Sequence, residues 1–161
     1  MSPRIQPMDP SDWESVRRIY AEGIAGGQTT FETEAPGYAQ WDARHHPRCR
    51  LVFRADDGIA GWTALSPVSS RAVYSGVAEV GVHVASRLHR QGIGAALLDA
   101  LVSASAAGGF WTLQASIFPE NEASIALHCK HGFRIVGRRE RIAQLRGIWR
   151  DTILLERRSN T

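Results

Sequence analysis

The segment from 77 to 102 constrains the fold more than any other part of the sequence. Valines alternate with more polar residues between 77 and 84, which predicts a strand with one apolar face. A basic loop follows, and Gly92 and Gly94 then open an apolar stretch with helical periodicity. The free amides at the start of such a helix, together with its positive dipole end, can bind phosphate groups.

The rest of the chain alternates between helical and strand patterns. Ser11 and Glu14 are spaced as a capping box, and Gly23 predicts the end of the first helix. After an initial strand, helices are predicted at 11–23, 38–45, 93–107 and 121–131, and strands at 49–55, 59–66, 77–84, 111–117, 133–140 and 148–156. This order predicts a mixed α/β sheet flanked by helices.

Length and composition narrow the class of protein further. A chain of 161 residues with 43% hydrophobic and 22% charged residues suits one compact domain, which we expect to span residues 1–161. No apolar run approaches the roughly 18 residues of a membrane span. The N-terminal residues contain no apolar segment typical of an export signal, so a cytoplasmic location is expected.

The charge and the spacing of possible metal ligands argue against a nucleic-acid-binding protein and against a metalloprotein. The net charge of +3 is weak for a protein that must neutralise many phosphates, so nucleic-acid binding is not expected despite an arginine-rich final third. The two cysteines, Cys49 and Cys129, do not form a disulfide framework. The histidines at 45–46 and the group at 128–131 lack the spacing of metal ligands, so no metal site is predicted.

The two glycines alone do not define the ligand. Leu97 occupies the third position of the dinucleotide-binding fingerprint, so that fingerprint is absent, and no Walker-type phosphate loop occurs. A glycine-rich helix start that serves only as a turn remains open on this evidence.

Two blocks of sequence carry a resemblance to a known family. Residues 89–94 read His-Arg-Gln-Gly-Ile-Gly, and residues 121–128 read Asn-Glu-Ala-Ser-Ile-Ala-Leu-His, followed by Gly-Phe at 132–133. Both resemble, in order and spacing, the motifs of the GCN5-related N-acetyltransferase (GNAT) superfamily. The chain departs from those motifs at His89, where glutamine or arginine is usual, and at His128, where tyrosine is common.

Three further segments are similar to one branch of that superfamily, the phosphinothricin and methionine sulfoximine acetyltransferases. They are residues 31–36, the segment from 71 to 79, and residues 149–155. The resemblance implies a central, mostly antiparallel mixed sheet flanked by helices. It also implies acetyl-CoA as co-substrate, a small amine as acceptor and a homodimer.

The resemblance assigns roles to individual residues. Glu79 stands where the family has its catalytic base, the amide of Val82 would polarise the thioester, and His128 would protonate the leaving thiol. The residues expected to hold acetyl-CoA are Val82, Val84, Arg90, Gln91, Gly92, Ile93, Gly94, Ala95 and Asn121. The residues expected to bind the acceptor are Phe31, Glu32, Arg71, Tyr74 and Trp149.

The expected reaction is direct acetyl transfer to the α-amine of a small glutamate-like amino acid, such as phosphinothricin or methionine sulfoximine. Arginine suits the anionic group of such an acceptor because its planar fork pairs with two oxygens. Other acceptors, a peptide N-terminus or a polyamine, remain open, as does a sensor that binds acetyl-CoA without turnover. Cys129 would permit an acyl-enzyme route, although a small apolar role on its helix is the simpler interpretation.

Overall fold

A computed structural model describes residues 4–160 and shows a seven-stranded mixed sheet with four α-helices in that range. The helices are α1 Trp13–Gly26, α2 Tyr38–Arg44, α3 Ile93–Ala107 and α4 Glu122–Lys130. The strands are β1 Ile5–Pro7, β2 Leu51–Ala55, β3 Gly58–Pro67, β4 Val77–Val84, β5 Thr112–Ile117, β6 Arg134–Leu145 and β7 Ile148–Arg158. The predicted fold class, a mixed α/β sheet flanked by helices, is confirmed.

The sheet is antiparallel except at its centre. Its strand order is β1-β2-β3-β4-β5-β7-β6, and only β4 and β5 run parallel. These two strands pair over just three residues each, Val77–Glu79 against Thr112–Gln114. Beyond that point β4 follows β3 and β5 follows β7, so the two central strands separate and open a gap in the sheet.

Helices α1 and α3 both pack against β3 and bury the apolar residues that their sequences repeat at helical spacing. Leu97, Leu98 and Leu101 of α3 are completely buried in the core. Val16 and Ile19 of α1 lie in a separate cluster that also contains tryptophans from α2 and β3. None of the helices within residues 4–160 is both long and apolar enough to cross a membrane.

The first helix differs from its predicted form at both ends. Asp12, rather than Ser11, organises its start: the Asp12 carboxylate accepts the backbone N–H of Asp9 at 2.8 Å and two hydrogen bonds from Arg54. The helix also continues past Gly23 and ends at Gly26, where Gly27 adopts a left-handed conformation with φ of 73°. Gly23 serves close packing instead, because a Cβ there would lie 2.9 Å from the Thr29 hydroxyl.

The last hairpin is longer than predicted. Strand β6 extends to Leu145, beyond the expected limit at 140, and turns into β7 through Arg146 and Gly147, both with positive φ. Nearly all of β6 is exposed, so its arginine-rich sequence shows no apolar alternation from which its length could be predicted.

Candidate active site

Two adjoining hollows lie around the gap between β4 and β5. One, here called the groove, has a volume of about 670 Å³ and runs along the end of β4, the start of α3 and the start of α4. The other, here called the cavity, has a volume of about 350 Å³ and lies against the middle of β3 and β4. Thr29 and His83 line both hollows, so the two spaces meet at these residues.

The groove brings together most of the residues predicted to hold the cofactor. Its lining includes Val82, Val84, Arg90, Gly92, Ile93, Gly94, Ala95 and Asn121. Gln91 is exposed and lies outside that lining. The fold thus brings eight of the nine predicted residues to one groove, and their contact with acetyl-CoA stays a prediction.

The edge of β4 beside the gap offers backbone hydrogen-bonding groups. Ala85 donates its N–H to the Ala60 carbonyl of β3 at 2.8 Å. Because backbone groups alternate in direction along a strand, Val82 and Val84 point their N–H and C=O groups away from β3 and into the gap. The Val84 carbonyl lies 3.1 Å from Nε2 of His89, and β5 pairs with neither valine. An extended ligand can pair here as an added strand.

The glycine loop supplies the second half of the groove. Gly92 has a φ of 80°, a conformation that favours glycine, and it leads directly into α3. The first hydrogen bond within the helix runs from the Ala96 N–H to the Gly92 carbonyl, at 3.0 Å. The amides of residues 93–95 therefore have no partner within the helix and are available to phosphate oxygens.

Asn121 caps α4 and ties it to the segment after α1. Its Oδ1 accepts the N–H of Ser124 at 3.3 Å, and its Nδ2 donates to the Gln28 carbonyl at 3.2 Å. Both polar atoms of the Asn121 side chain thus already have hydrogen-bond partners in the protein. Its contact with acetyl-CoA stays a prediction.

His128 lies in the groove lining but is 5% exposed and already committed to a hydrogen bond. Its Nδ1 lies 2.7 Å from the Ser124 carbonyl, so Nδ1 carries the proton and donates it. Burial lowers the pKa of His128 and keeps the ring neutral, with only a lone pair left on Nε2. This geometry disfavours the predicted role as proton donor. Cys129, on the exposed side of α4, lines neither hollow.

Glu79 lies in the cavity lining at the last paired position before β4 and β5 separate. Its Oε1 accepts hydrogen bonds from Gln114 Nε2 at 3.1 Å and from the Ser116 hydroxyl at 3.2 Å. Both donors come from β5 and share one face of that strand. These two donors are not among the residues predicted from the sequence, although polar residues that recur at every second position of β5 could have indicated them.

An aromatic wall encloses the cavity, and His83 is part of it. The His83 ring stacks on Trp62 with 4.4 Å between centroids and lies 5.1 Å from the ring of Tyr20. Burial, with a smaller effect from His45, lowers the pKa of His83 to about 4, so the ring is neutral near pH 7. Trp62 belongs to the core cluster that contains Val16 and Ile19. It is 2% exposed and also lines the cavity.

The predicted acceptor residues divide into two groups. Phe31 and Glu32 line the cavity, and Phe31 packs edge-on against Phe118. Arg71, Tyr74 and Trp149 do not line it.

The three outlying residues are held elsewhere by their local structure. Arg71 and Tyr74 belong to an exposed turn before β4, where the Arg71 guanidinium lies 5.6 Å from the Tyr74 ring. Trp149, on the exposed end of β7, is 49% exposed and lies under the Arg141 guanidinium. The cation that does line the cavity is Arg44, which was not predicted because it belongs to none of the recognised motifs.

No cluster of three potential metal ligands among His, Cys, Asp and Glu occurs in the described residues. The polar groups that line the two hollows include backbone amides, carboxylates and arginine side chains, which suit organic and phosphate groups.

A comparison with family models decides the class of the protein. The model described as "Acetyltransferase (GNAT) family" matches residues 13–133. The chain belongs to this family. It is therefore an N-acetyltransferase that uses acetyl-CoA, and the groove fits that co-substrate through the free β4 edge and the free amides at the start of α3.

Curated relatives and solved structures extend the likeness over nearly the whole chain. A phosphinothricin N-acetyltransferase of Streptomyces coelicolor is 29% identical, covering 96% of this chain and 95% of the relative. An L-methionine sulfoximine/L-methionine sulfone acetyltransferase of Pseudomonas paraeruginosa is 27% identical, covering 97% and 94%. A crystal structure of a phosphinothricin acetyltransferase from Sinorhizobium meliloti with acetyl-CoA has a TM-score of 0.87 at 27% identity, covering 98% of this chain and 89% of that one.

Proposed function

We propose that this GNAT enzyme transfers the acetyl group of acetyl-CoA directly to the α-amine of a small glutamate-like amino acid, such as phosphinothricin or methionine sulfoximine. The position of Glu79 carries the proposal: the carboxylate lines the cavity where the cofactor-binding gap opens and is held by two donors from β5. The names of the relatives support the acceptor class. The unit that acts is the chain from 1 to 161 as a single domain.

The reaction needs a neutral amine beside a polarised thioester. Glu79 takes a proton from the acceptor ammonium, directly or through water, and the freed nitrogen attacks the thioester carbon. The N–H of Val82, which points into the gap, stabilises the negative charge that forms on the carbonyl oxygen. The C–N bond forms, the C–S bond breaks and the thiolate leaves, while the attacking nitrogen gives up its second proton to solvent as the amide forms.

The leaving thiolate takes its proton from solvent in this scheme. His128 donates its only ring proton to the Ser124 carbonyl, and its lowered pKa makes the doubly protonated ring rare at neutral pH. We therefore give His128 a packing role against Phe133, whose ring it meets edge-on. The cofactor itself would be held by the amides and side chains of 90–95, by Val82 and Val84, and by Asn121.

We also propose that the chain acts as a homodimer in the cytoplasm. The exposed hairpin of β6 and β7 supports the dimer, because it presents an unusual number of large apolar side chains to solvent. They are Ile135, Val136, Ile142, Ile148 and Trp149.

A cavity of about 350 Å³ favours a small acceptor over the alternatives of a peptide N-terminus or a polyamine. A sensor that only binds acetyl-CoA would not need a carboxylate positioned by two hydrogen bonds in the cavity, as Glu79 is. The peptide and sensor alternatives are tested by measuring free thiol released from acetyl-CoA with phosphinothricin, methionine sulfoximine, methionine sulfone, glutamate and a short peptide in separate reactions. Saturable release with the amino acids supports the proposal, whereas acetyl-CoA binding without any release would support the sensor.

The variant E79Q tests the base. Glutamine keeps the size of the side chain and removes its ability to take up a proton, so we expect kcat to fall by about 10²- to 10⁴-fold near pH 7. Acetyl-CoA binding, measured by calorimetry, should stay nearly unchanged. E34Q, which neutralises an exposed carboxylate outside the cavity lining, is the control and should keep full turnover. Normal turnover in E79Q would remove Glu79 from the role.

A further inference from the structure

The cavity contains few charges, and their signs restrict what it can bind. Among the described residues that line it, the ionic side chains are Arg44, Glu32 and Glu79. His45 and His83 also line it, but burial lowers the pKa of both rings and keeps them neutral. The lining thus offers one cation against two carboxylates.

The backbone places Arg44 firmly at this wall. Arg44 is the last residue of α2, and Trp41, one turn earlier on the same helix, is completely buried and also lines the cavity. Residues three apart share one face of a helix, so the packing of Trp41 directs Arg44 towards the same space.

The partner that Arg44 has in this structure is weakly held. Its Nη1 lies 3.4 Å from Glu32 Oε1, and the two side chains are 49% and 45% exposed. An ion pair of this length and exposure contributes little to stability. A carboxylate that enters the cavity can therefore displace Glu32 and pair with both arms of the guanidinium.

The remaining walls favour uncharged groups. Five aromatic rings also line the cavity: Tyr20, Phe31, Trp41, Trp62 and Phe118. A second anionic group on the acceptor would meet no further cation in this lining and would lie near Glu32 and Glu79. Burying an unpaired charge is costly, so such acceptors are penalised.

We propose that Arg44 anchors the acceptor's carboxylate, and that Glu32 repels a second negative charge, so that the enzyme selects amino acids whose side chains are uncharged. This inference rests on the proposed function and narrows it. Methionine sulfoximine and methionine sulfone carry one anionic group and fit the rule, whereas phosphinothricin and glutamate carry two.

The first test compares acceptors on the wild-type enzyme. We expect kcat/KM for methionine sulfone to exceed that for glutamate and for phosphinothricin by at least about tenfold, since an unpaired buried charge costs more than 1.4 kcal/mol. Equal or better use of the two dianionic acceptors would overturn the selectivity rule.

The second test isolates the anchor. R44Q should raise KM for methionine sulfone by about 10- to 100-fold, the range for a charge-assisted hydrogen bond. It should leave kcat/KM for methionine sulfone amide, which lacks the carboxylate, close to the wild-type value. R44K, which keeps the charge and loses the planar fork, should fall between the two. An equal loss with the acid and the amide would show that Arg44 is only structural.

The third test isolates the repulsion. E32Q should raise kcat/KM for glutamate relative to methionine sulfone by about tenfold, because a repulsion that corresponds to about 1.4 kcal/mol is removed. E34Q, two residues away on the exposed side of the same segment, should leave that ratio unchanged. An unchanged ratio in E32Q would refute the role of Glu32. If no amino acid is acetylated at all, the proposed function itself fails, which is a different result.

Discussion

Glu79 shows how one residue gains a function from its position in the sheet. At Glu79, β4 is still paired with both β3 and β5, whereas the residues of β4 that follow pair with β3 alone and border the gap. The carboxylate of Glu79 therefore lies between the paired part of the sheet and an open space. The hydrogen bonds from Gln114 and Ser116 fix one of its oxygens. A base must be held within hydrogen-bond reach of its proton, and this arrangement limits the motion of the carboxylate.

His83 leads to a prediction about acid stability. Its pKa is lowered to about 4 from an ordinary 6.5, so the unfolded chain binds a proton between these values while the folded ring stays neutral. Stability attributable to this group is therefore full above pH 6.5 and falls as the pH drops to 4. H83F keeps an aromatic ring on Trp62 and should reduce this fall by about 2–3 kcal/mol between pH 7.5 and 4.

Urea unfolding at several pH values measures the effect. The wild type should lose more stability than H83F over that interval, and the two curves should be parallel above pH 7. A wild type and variant that lose stability equally would show that the His83 ring titrates normally.

Sequence reasoning located some of these residues and missed others for a clear physical reason. Glu79 and the residues near Gly92 lie in one continuous segment, and the sequence of that segment alone predicts its strand, loop and helix. Arg44 and Gln114 come to the site from distant elements: the packing of α2 brings Arg44 there, and the pairing of β5 with β4 brings Gln114. Arg71 was chosen for its chemistry near Glu79 in sequence, but its exposed turn directs it elsewhere.

At the scale of elements, Arg150 of β7 joins three segments around both hollows. Its guanidinium donates to the Gly27 carbonyl at 3.2 Å and to Gln28 Oε1 at 2.8 Å, and it lies 3.4 Å from Glu120. The same group stacks 3.9 Å above the ring of Phe118. Gln28 and Glu120 line the groove and Phe118 lines the cavity, so one side chain supports both.

The variant R150M tests this support. Methionine keeps a long apolar chain over Phe118 and removes the hydrogen bonds, so the turn after α1 loses its fixed position. We expect KM for acetyl-CoA to rise about tenfold, which corresponds to one lost charge-assisted hydrogen bond. R138M, which breaks the exposed pair with Asp151, is the matched control and should keep the wild-type KM. Equal KM values in both variants would contradict the role.

The start of α1 leads to a prediction about Asp12. Burial raises the pKa of Asp12, but the hydrogen bonds from Arg54 and from the Asp9 N–H outweigh burial and hold that pKa below its ordinary value. D12N keeps an acceptor at the helix start and loses the charge, so it should cost about 1–3 kcal/mol of unfolding free energy at pH 7. D56N, which breaks an exposed pair with Arg4, should cost under about 1 kcal/mol.

The sign of the pH effect follows from the lowered pKa. The stabilisation by Asp12 is present above the pKa of the unfolded chain and is lost as the pH falls through the folded pKa. Chemical unfolding should therefore show the difference between wild type and D12N shrinking below about pH 4. A difference that does not change with pH would mean that the charge of Asp12 contributes nothing.

The element boundaries show where local signals suffice. Helix α3 and strand β4 have strong apolar periodicity, and the structure confirms both predictions closely. The end of α1 was misplaced because Gly23 is required by contact with Thr29 rather than by a turn. The length of β6 depends on its pairing with β7, which no feature of its own sequence reveals.

At the scale of the whole molecule, catalysis depends on how the sheet divides. The strands β4 and β5 must stay joined at their starts and separated at their ends, and three paired residues on each strand achieve this. Just before β4, the Gly76 carbonyl accepts the N–H groups of Trp111 and Thr112 at 2.9 and 3.2 Å. This contact lies where the two strands are joined, at the closed end of the gap.

Gly76 has no room for a side chain, which makes the joint testable. A Cβ at Gly76 would lie 2.1 Å from the Trp111 ring, so G76A forces the ring or the strand to move. Overpacking of this kind should lower the free energy of unfolding by about 1–3 kcal/mol. Because the shift occurs at the base of the gap, turnover should fall as well. G137A is the control, since nothing lies within 4 Å of a Cβ at that position of β6.

A double-mutant cycle separates this contact from a general loss of stability. In W111A the ring is absent, so adding G76A should cost much less than it does in the wild type, with a coupling of about 1 kcal/mol or more. Urea unfolding of the four proteins supplies the cycle, and thiol release measures turnover in each. Additive costs would show that the Gly76–Trp111 contact does not hold the two central strands together. A coupled cycle with normal turnover in G76A would show that the joint stabilises the sheet without setting the geometry of the active site.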